Sequence, residues 1–590
     1  MLRWLDDYFG LQWLAGLSIA VLFLAAGILT IGDYGITVDS PENFLWGDIY
    51  LRFYQSWNPA YLRYGEGENP LIEYPPAPTH VFDHRVKYRP WMFHPVAKIF
   101  TAFTHQTFHE RLGWLDDIDA HHLGILVISA AGVFALYAMV YEVFGYAPAV
   151  ISAASLALYP RFIAHSHNNV KDTPMTCFFI FTMYCFWKAF NTRDLRWSIL
   201  AGTSLGLSLN VKINAYFMPL IFGVWLFLTY KGGEGTVMMP KFTVERASIK
   251  YCLQERRYDS KLNIAVIVIL ALSVMYLSWP YLWERPLANL FTSMQLFAQG
   301  GKDIPVLYNG VIYSSSTDLP FYYAPHYLLI VTPPQVLLLS ALGMFEAGRI
   351  LKSKRKPDSD KREMIILLLL WLLTPLAKYM IPGTVVIDGI RHFLEVVPPL
   401  CVFAGLGGGL LYGRARDYLS SRASHPRILA VILVILLYAP TAYANVRLHP
   451  YQIAYFNFLV GGVKGAEGRY EIGYWGTALK EAAWWTSQWK TPDVKVMDPM
   501  WWHLTAYYLD ISRNPGEKNY VILLNDPTMH NISWFSPRTR NIMAYVLENK
   551  TPVHTVGVEG VPLAYVYDVA GDEFKNIEGY EVQNYTACGC

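Results

Sequence analysis

Long apolar runs separated by short polar turns fill the first three quarters of the chain. They lie at 11–31, 122–141, 147–164, 173–190, 197–211, 215–230, 263–283, 323–346, 364–380, 392–412 and 427–445. A helix of about 20 residues crosses a hydrocarbon layer ~30 Å thick, so these runs predict about eleven transmembrane helices. The first run is read as an anchor, because MLRWLDDYFG is not a simple basic leader and the run outlasts a signal sequence. Between it and the second run, residues 32–121 are polar, aromatic and rich in proline, which predicts an external loop. After Asn445 the pattern changes. VKVMD, YVILLND and PLAYVYDV read as short buried strands, while Trp501 to Leu509 and Arg540 to Asn549 carry helical spacing. The expected fold is an α-helical polytopic membrane protein over 1–445, with a small α/β extracytoplasmic domain over 446–590.

Composition agrees with that class. Of 590 residues, 53% are hydrophobic and 16% charged, against about 25% charged in soluble domains. The net charge of +2 carries less information than its distribution. Lys and Arg concentrate in 231–262, 347–363 and 413–427, which predicts that these loops are cytoplasmic. The 32–121 loop, the intervening turns and the C-terminal domain then face outward from a plasma or cytoplasmic membrane. The net charge says nothing about nucleic acid, and none is expected as a partner. The six cysteines lack the spacing of a disulfide scaffold or a zinc site, and the terminal pair Cys588 and Cys590 stays unassigned.

The remaining polar residues gather on the outward side. YGITVDSPEN sets Asp39 just beyond the first span, either as a reactive carboxylate or as a cap for the helix that follows. HPVAK, behind the basic and aromatic run HRVKYRPWMF, puts His94 and Lys98 on one helical face, suited to an anionic group at the membrane surface. YPRFIAHSHNNVKDTP adds Arg161, His165, His167, Lys171 and Asp172, and GLSLNVKINAYFMP adds Lys212 and Asn214. IPGTVVIDGIRH leads into GIRHFLEVVPPL, with Arg391, His392 and Glu395. A carboxylate that far into a span needs a partner, and Arg391 or His392 is the expected one. DDID brings Asp117 and Asp119 close to His121 and His122. That pair could hold a divalent metal, although solvated charge at a helix entry is the plainer reading.

In this order, the Asp-x-Pro after the first span, HPxxK, the PRF…N…KDTP turn, KINA and GIRHFLEVVPPL resemble the polyprenyl-phosphate-dependent glycosyltransferases of GT-C type. Protein O-mannosyltransferases and the lipid A aminoarabinose transferase belong to that family. YFNFLVGG and YWGTALKEAAWW resemble members with a C-terminal extracytoplasmic domain. The chain departs from the family at Ser40, where an acidic residue usually follows the catalytic aspartate.

The resemblance implies transfer of a sugar from a polyprenyl-phosphate donor, held in membrane lipid, to a hydroxyl of a protein, lipid or glycan. Cations that face the departing phosphate stabilise charge that grows in the transition state. Lys212, Arg391 and His392 are assigned that task, with His94, Lys98 and Lys171 as further phosphate ligands. Asp39 is the expected general base, and a single displacement inverts the sugar. Asp172 either orients acceptor or sugar hydroxyls, or pairs with Lys171 or Arg161. The chemistry requires no cofactor, and a metal remains open only at Asp117 and Asp119.

Three other classes compete. An oligosaccharyltransferase subunit should carry a WWDYG-like motif, which neither WWTSQ nor WWHLT matches. A membrane transporter should place charges at the midplane of matched halves. A non-catalytic lipid- or glycan-binding relative would be expected to lose Asp39 or its cations. The residues that select the acceptor are expected in 43–93 and in the C-terminal domain. Sequons at Asn531, Asn549 and Asn584 agree weakly with an external location.

Overall fold

A computed structural model describes residues 10–63, 93–192, 194–229, 234–245, 248–299, 304–353, 355, 358–512, 515–529 and 535–577. Most of the 43–93 loop, most of HRVKYRPWMF, the sequons Asn531 and Asn584, and the terminal cysteines lie outside these residues.

Over its described residues, each of the eleven apolar runs is mostly helical. The helices used below are α1 (Leu11–Leu29), α2 (Ser40–Ser56), α3 (Val96–His105), α4 (Asp117–Phe144), α5 (Tyr146–Ala157) and α6 (Pro160–Asn168). They continue with α7 (Asp172–Asn191), α8 (Leu195–Leu209), α9 (Phe217–Thr229), α10 (Ser260–Leu277), α11 (Tyr323–Val331) and α12 (Pro334–Lys352). The last three of the bundle are α13 (Ser359–Tyr379), α14 (Val397–Leu419) and α15 (Pro426–Arg447). Among the described residues, 12–29, 117–144, 389–419 and 426–447 are long and apolar enough to cross a membrane unaided. Two further runs are broken. α5 meets α6 at 60° and α11 meets α12 at 116°. Proline causes both breaks: Pro160 opens α6, and Pro333 and Pro334 separate α11 from α12. A proline ring removes a backbone donor and holds the residue before it out of the helical region.

Large apolar side chains such as Leu22, Leu29, Phe227, Leu272 and Ile435 stand exposed along α1, α9, α10 and α15. A surface of this kind requires a lipid solvent, so the chain is an integral, multi-pass membrane protein. Inside the bundle, α12 and α14 approach at the backbone. A Cβ at Gly343 would collide with the Phe403 carbonyl, and one at Gly407 with the Leu339 carbonyl. Two small residues thus fix how closely the helix behind Arg391 packs.

Two hairpins were not legible as periodic apolar patterns. Strands β1 (Glu234–Glu245) and β2 (Ser248–Asp259) pair antiparallel in the basic 231–262 segment, and β3 (Pro305–Tyr308) pairs with β4 (Val311–Ser314). The C-terminal part holds a four-stranded mixed sheet in the order β5 (Val494–Met497), β6 (Lys518–Leu524), β8 (Val561–Ala570), β7 (His554–Val558). Three of these strands were expected. β7 was not, because HTVGV is too polar for a buried run. Glu559 and Gly560, both at positive φ, close the two-residue hairpin that pairs β7 with β8. Helix α16 (Leu479–Trp489) and helix α17 (Pro537–Asn549) accompany the sheet. The helix expected over 501–509 shrinks to the single turn Trp502–Thr505. Asp498 explains the local turn, its carboxylate accepting from the backbone of Met500 and Trp501 and from the Thr505 hydroxyl.

Candidate active site

Two helix starts meet at one point. Asp39 is the residue before α2 and Lys171 the residue before α7. Asp39 does not cap its helix through the side chain. Its Oδ2 instead accepts from Lys171 Nζ at 3.0 Å and from Arg391 Nη1 at 3.1 Å. The capping role proposed by sequence alone is therefore not what the carboxylate does. Burial would raise the Asp39 carboxyl, but Lys171 and Arg391 outweigh it and hold the group far below the ordinary carboxylate range.

Asp172, the first residue of α7, lies on the other side of Arg391. Its Oδ1 binds Lys212 Nζ at 2.5 Å, and its Oδ2 accepts from Asn169 Nδ2 at 2.8 Å. Arg391 Nη1 stands 3.9 Å from that Oδ2. The partner of Asp172 is thus Lys212, neither Lys171 nor Arg161. Arg161 is buried in a different place, donating to the Tyr455 carbonyl and facing the rings of Tyr327 and Phe456.

Arg391 is the hub. A third carboxylate, Asp388, accepts from its Nη2 at 2.6 Å, and the Trp475 ring covers the guanidinium at 4.3 Å. Asp388 and Trp475 were missed as functional residues. Both are non-glycine residues at positive φ, 53° and 79°, which side chains adopt only where the surroundings over-determine the backbone. The Asp-Gly pair before Arg391 was a usable signal for a forced turn; nothing in the sequence links Trp475 to Arg391. Trp475 is held in turn by its carbonyl, which accepts from the Val38 amide at 3.0 Å, next to Asp39.

The expected pairing of Glu395 with Arg391 or His392 does not form. Glu395 accepts from Asn214 Nδ2 at 2.6 Å, while Arg391 is committed to Asp39 and Asp388. Asn214 also donates to the His392 carbonyl, which receives the Tyr379 hydroxyl as well, so this network fixes the backbone beneath Arg391. His392 itself is half-buried beside Arg391.

His94 and Lys98 flank the start of α3, both buried. Burial, with Lys98 and Lys171 nearby, pushes the His94 ring down to about 3, so it is neutral and faces Trp279. Burial also brings the Lys98 amine down to about 7, against the pull of Glu42 and Asp39. Among the described residues Lys98 has no ion pair within 4 Å; it lies over the Phe93 ring. It is the cation of this group least committed to a carboxylate.

Asp117 and Asp119 do not act as a pair. Asp117 binds His105 Nε2 at 2.8 Å, whereas the charges around Asp119 are Lys480, Asp116 and Asp33. Among the described residues, the His, Asp and Glu side chains that cluster within metal-ligand distances are Asp48, His105 and His121, which spacing did not reveal because they come from three helices.

With three carboxylates, four cations and two helix starts converging, the arrangement fits an anionic ligand next to a base. Residues 95–244 match the sequence model of the family described as dolichyl-phosphate-mannose-protein mannosyltransferase. Over that stretch the chain is similar to this family. The matched stretch contains Lys98, Lys171, Asp172 and Lys212, while Asp39 and Arg391 lie outside it. No curated protein sequence matches. Among solved structures, the chain is similar to ArnT from Cupriavidus metallidurans bound to undecaprenyl phosphate, at 11% identity and TM-score 0.47, over 94% of this chain and 97% of that one. It is also similar to the oligosaccharyltransferase AglB from Archaeoglobus fulgidus, in complex with an inhibitory peptide and a dolichol-phosphate. That likeness has 13% identity and TM-score 0.44, over 83% of this chain and 59% of that one.

Proposed function

We propose that this protein transfers a sugar from a polyprenyl-phosphate donor to a hydroxyl acceptor on the extracytoplasmic face of the membrane, with inversion at the sugar. The observation that carries the reading is Arg391 bridging Asp39 and Asp172, with Lys171, Lys212 and Lys98 around it.

In the reaction, the bond from the anomeric carbon to the phosphate oxygen breaks as the acceptor oxygen bonds to that carbon. The acceptor proton passes to Asp39. The polyprenyl phosphate departs with one more negative charge than it carried as a diester, and Arg391, Lys98 and Lys171 compensate it. An aspartate held as low as Asp39 is a weak base while both cations sit on it. A donor phosphate competes for the same two cations. Binding of the donor therefore frees the Asp39 carboxylate in the complex where the base is needed. Asp172 and Lys212 neutralise each other and hold Arg391 from behind, so their role is positioning. Protein, lipid and glycan hydroxyls all offer the required oxygen, and this chemistry needs no metal at Asp117 or Asp119.

The test is a panel of polyprenyl-phosphate sugars in sealed vesicles of known orientation. Consumption of one donor, dependent on Asp39 and confined to vesicles that expose the extracytoplasmic face, is expected. A panel left intact with acceptor-rich membranes, or consumption from the cytoplasmic face, contradicts the reading.

A further inference from the structure

We infer that an acidic pocket beside Arg391, lined by Glu471 and Asp526, receives a lysine ammonium of the acceptor, which is therefore a peptide with a lysine near its reacting hydroxyl. The inference rests on the glycosyl-transfer reading above and names the acceptor that reading left open. The pocket lies where the segment after α15 meets β3 and the loop that follows β6. Glu467, Glu471 and Asp526 line it together with Tyr470, Tyr474 and Asn525, and no Lys, Arg or His takes part in the lining. Glu467, Gly468 and Pro527 are exposed and mark its mouth, whereas Glu471 and Asp526 are buried at 9% and 7% exposure.

The pocket continues from the proposed base through Arg391. That guanidinium gives Nη1 to Asp39 and Nη2 to Asp388, and the Asp388 carboxylate lies close enough to Glu471 and Asp526 for the charges to interact. Glu471 Oε2 has no hydrogen-bond partner. Burial holds the Glu471 carboxyl well above the ordinary carboxylate range, with Asp388 and Asp526 adding to it, more than the Leu307 amide and Arg161 offset. Asp526 Oδ1 accepts from the Thr528 amide at 3.1 Å and hydroxyl at 2.6 Å, contacts that fix the side chain without adding positive charge. The nearest basic residue in sequence, Arg469, donates to Asn309 Oδ1 at 2.8 Å, and Arg161 is turned to the Tyr455 carbonyl and the Tyr474 hydroxyl. A buried carboxyl with an unpartnered oxygen, set in a like-charged wall, calls for a cation from outside.

Size and direction select the cation. The interior measures about 40 Å³, where a single water needs about 10–15 Å³. An ammonium on a methylene stem fits such a space and a sugar ring does not. Among the described residues, Asp388, Glu471 and Asp526 do not gather within metal-ligand distances, so the geometry suits an ammonium better than a divalent ion. The pocket also lies on the Asp388 side of Arg391, away from Lys98 and Lys171, which are proposed to face the donor phosphate. Its mouth is built by the C-terminal domain and the segment leading to it, not by the lipid-facing helices along which a polyprenyl donor arrives.

The test uses full-length protein in detergent and three fluorescent peptides that share one serine flanked by lysine, acetyl-lysine or norleucine. Donor-free protein should bind the lysine peptide about 10–100-fold more tightly than the other two. Glu471→Gln should abolish that preference, Asp526→Asn should reduce it, and the exposed Glu548→Gln should leave it unchanged. If the Glu471 variant fails to fold, the comparison of lysine with acetyl-lysine in wild-type protein decides, because acetylation removes the charge and keeps the stem. Equal binding of the three peptides, no binding of any, or a lysine preference that survives Glu471→Gln would each overturn the pocket. With equal peptides, a preference for amino-sugar donors that Glu471→Gln removes would place the cation on the donor and overturn the acceptor assignment. These binding measurements need no donor, so a donor panel left intact defeats the transfer reading separately, while consumed donor with equal peptides defeats the pocket alone.

Discussion

Arg391 Nη1 reaches Asp39 Oδ2 at 3.1 Å although the two residues are 352 positions apart. The proposed proton acceptor at the start of the chain and the proposed phosphate-facing cation near the end of the bundle are thus one ion pair. Neither can do its assigned work until a ligand separates them.

Replacing the acceptor tests that separation. Asp39→Asn should lower single-turnover transfer by about 10²–10⁴-fold, or roughly 3–5 kcal/mol of barrier. Donor binding should persist or tighten, because Lys171 and Arg391 are released for the phosphate. Loss of two charge-assisted contacts should cost about 1–3 kcal/mol of stability. Transfer within a few-fold of wild type, with the donor still bound, would remove Asp39 from the mechanism.

The Lys212 and Asp172 pair is more structural. Asp172 is 3% exposed, so Lys212→Met strands a buried carboxylate and should destabilise the protein by about 3–5 kcal/mol. Adding Asp172→Asn should restore most of that stability without restoring transfer. A thermal-unfolding double-mutant cycle measures the coupling. Additive losses would show that the two residues do not depend on each other.

Asp388 should act through Arg391. Without the carboxylate on Nη2, the guanidinium can swing, and a displacement of about 1 Å is enough for a loss on the order of 10²-fold. Asp388→Ala should therefore lower the transfer rate far more than donor affinity. Asp388→Asn, which tolerates the positive φ and keeps an acceptor, should recover part of it. Equal effects of the two variants would reduce Asp388 to a backbone role.

Lys98 gives a pH signature. Its amine titrates at about 7 in the folded protein, against 10.5 ordinarily. Between these values the unfolded chain holds a proton that the folded chain lacks, so stability should rise with pH across that window. Donor affinity should move the other way, falling as pH climbs above about 7 and binding must take up a proton from solvent onto the amine. Binding isotherms from pH 6 to 9 check this, and Lys98→Met should flatten the profile. An unchanged slope in that variant would assign the titration elsewhere.

The helices were readable because a lipid-facing span must be apolar for its whole length, as α1 and α15 are. The motif residues Asp39, Lys171, Asp172, Lys212 and Arg391 do converge, yet their pairing was not readable. Which carboxylate meets which cation depends on helix ends brought together by the Pro160 break and by the Asp388 turn. Glu395 shows the limit well. Its sequence neighbours are cations, but its hydrogen-bond donor is an amide from a distant loop. β7 and the Asp48, His105 and His121 group escaped for the related reason that neither has a local pattern.

Trp475 belongs to a segment that follows the last bundle helix, and its ring closes over a guanidinium that the bundle has already set in place. During synthesis the membrane helices can therefore assemble around Arg391 while that residue is still uncovered. Competence for transfer would arrive late, when the chain beyond α15 folds back and its indole shields Arg391 on one side.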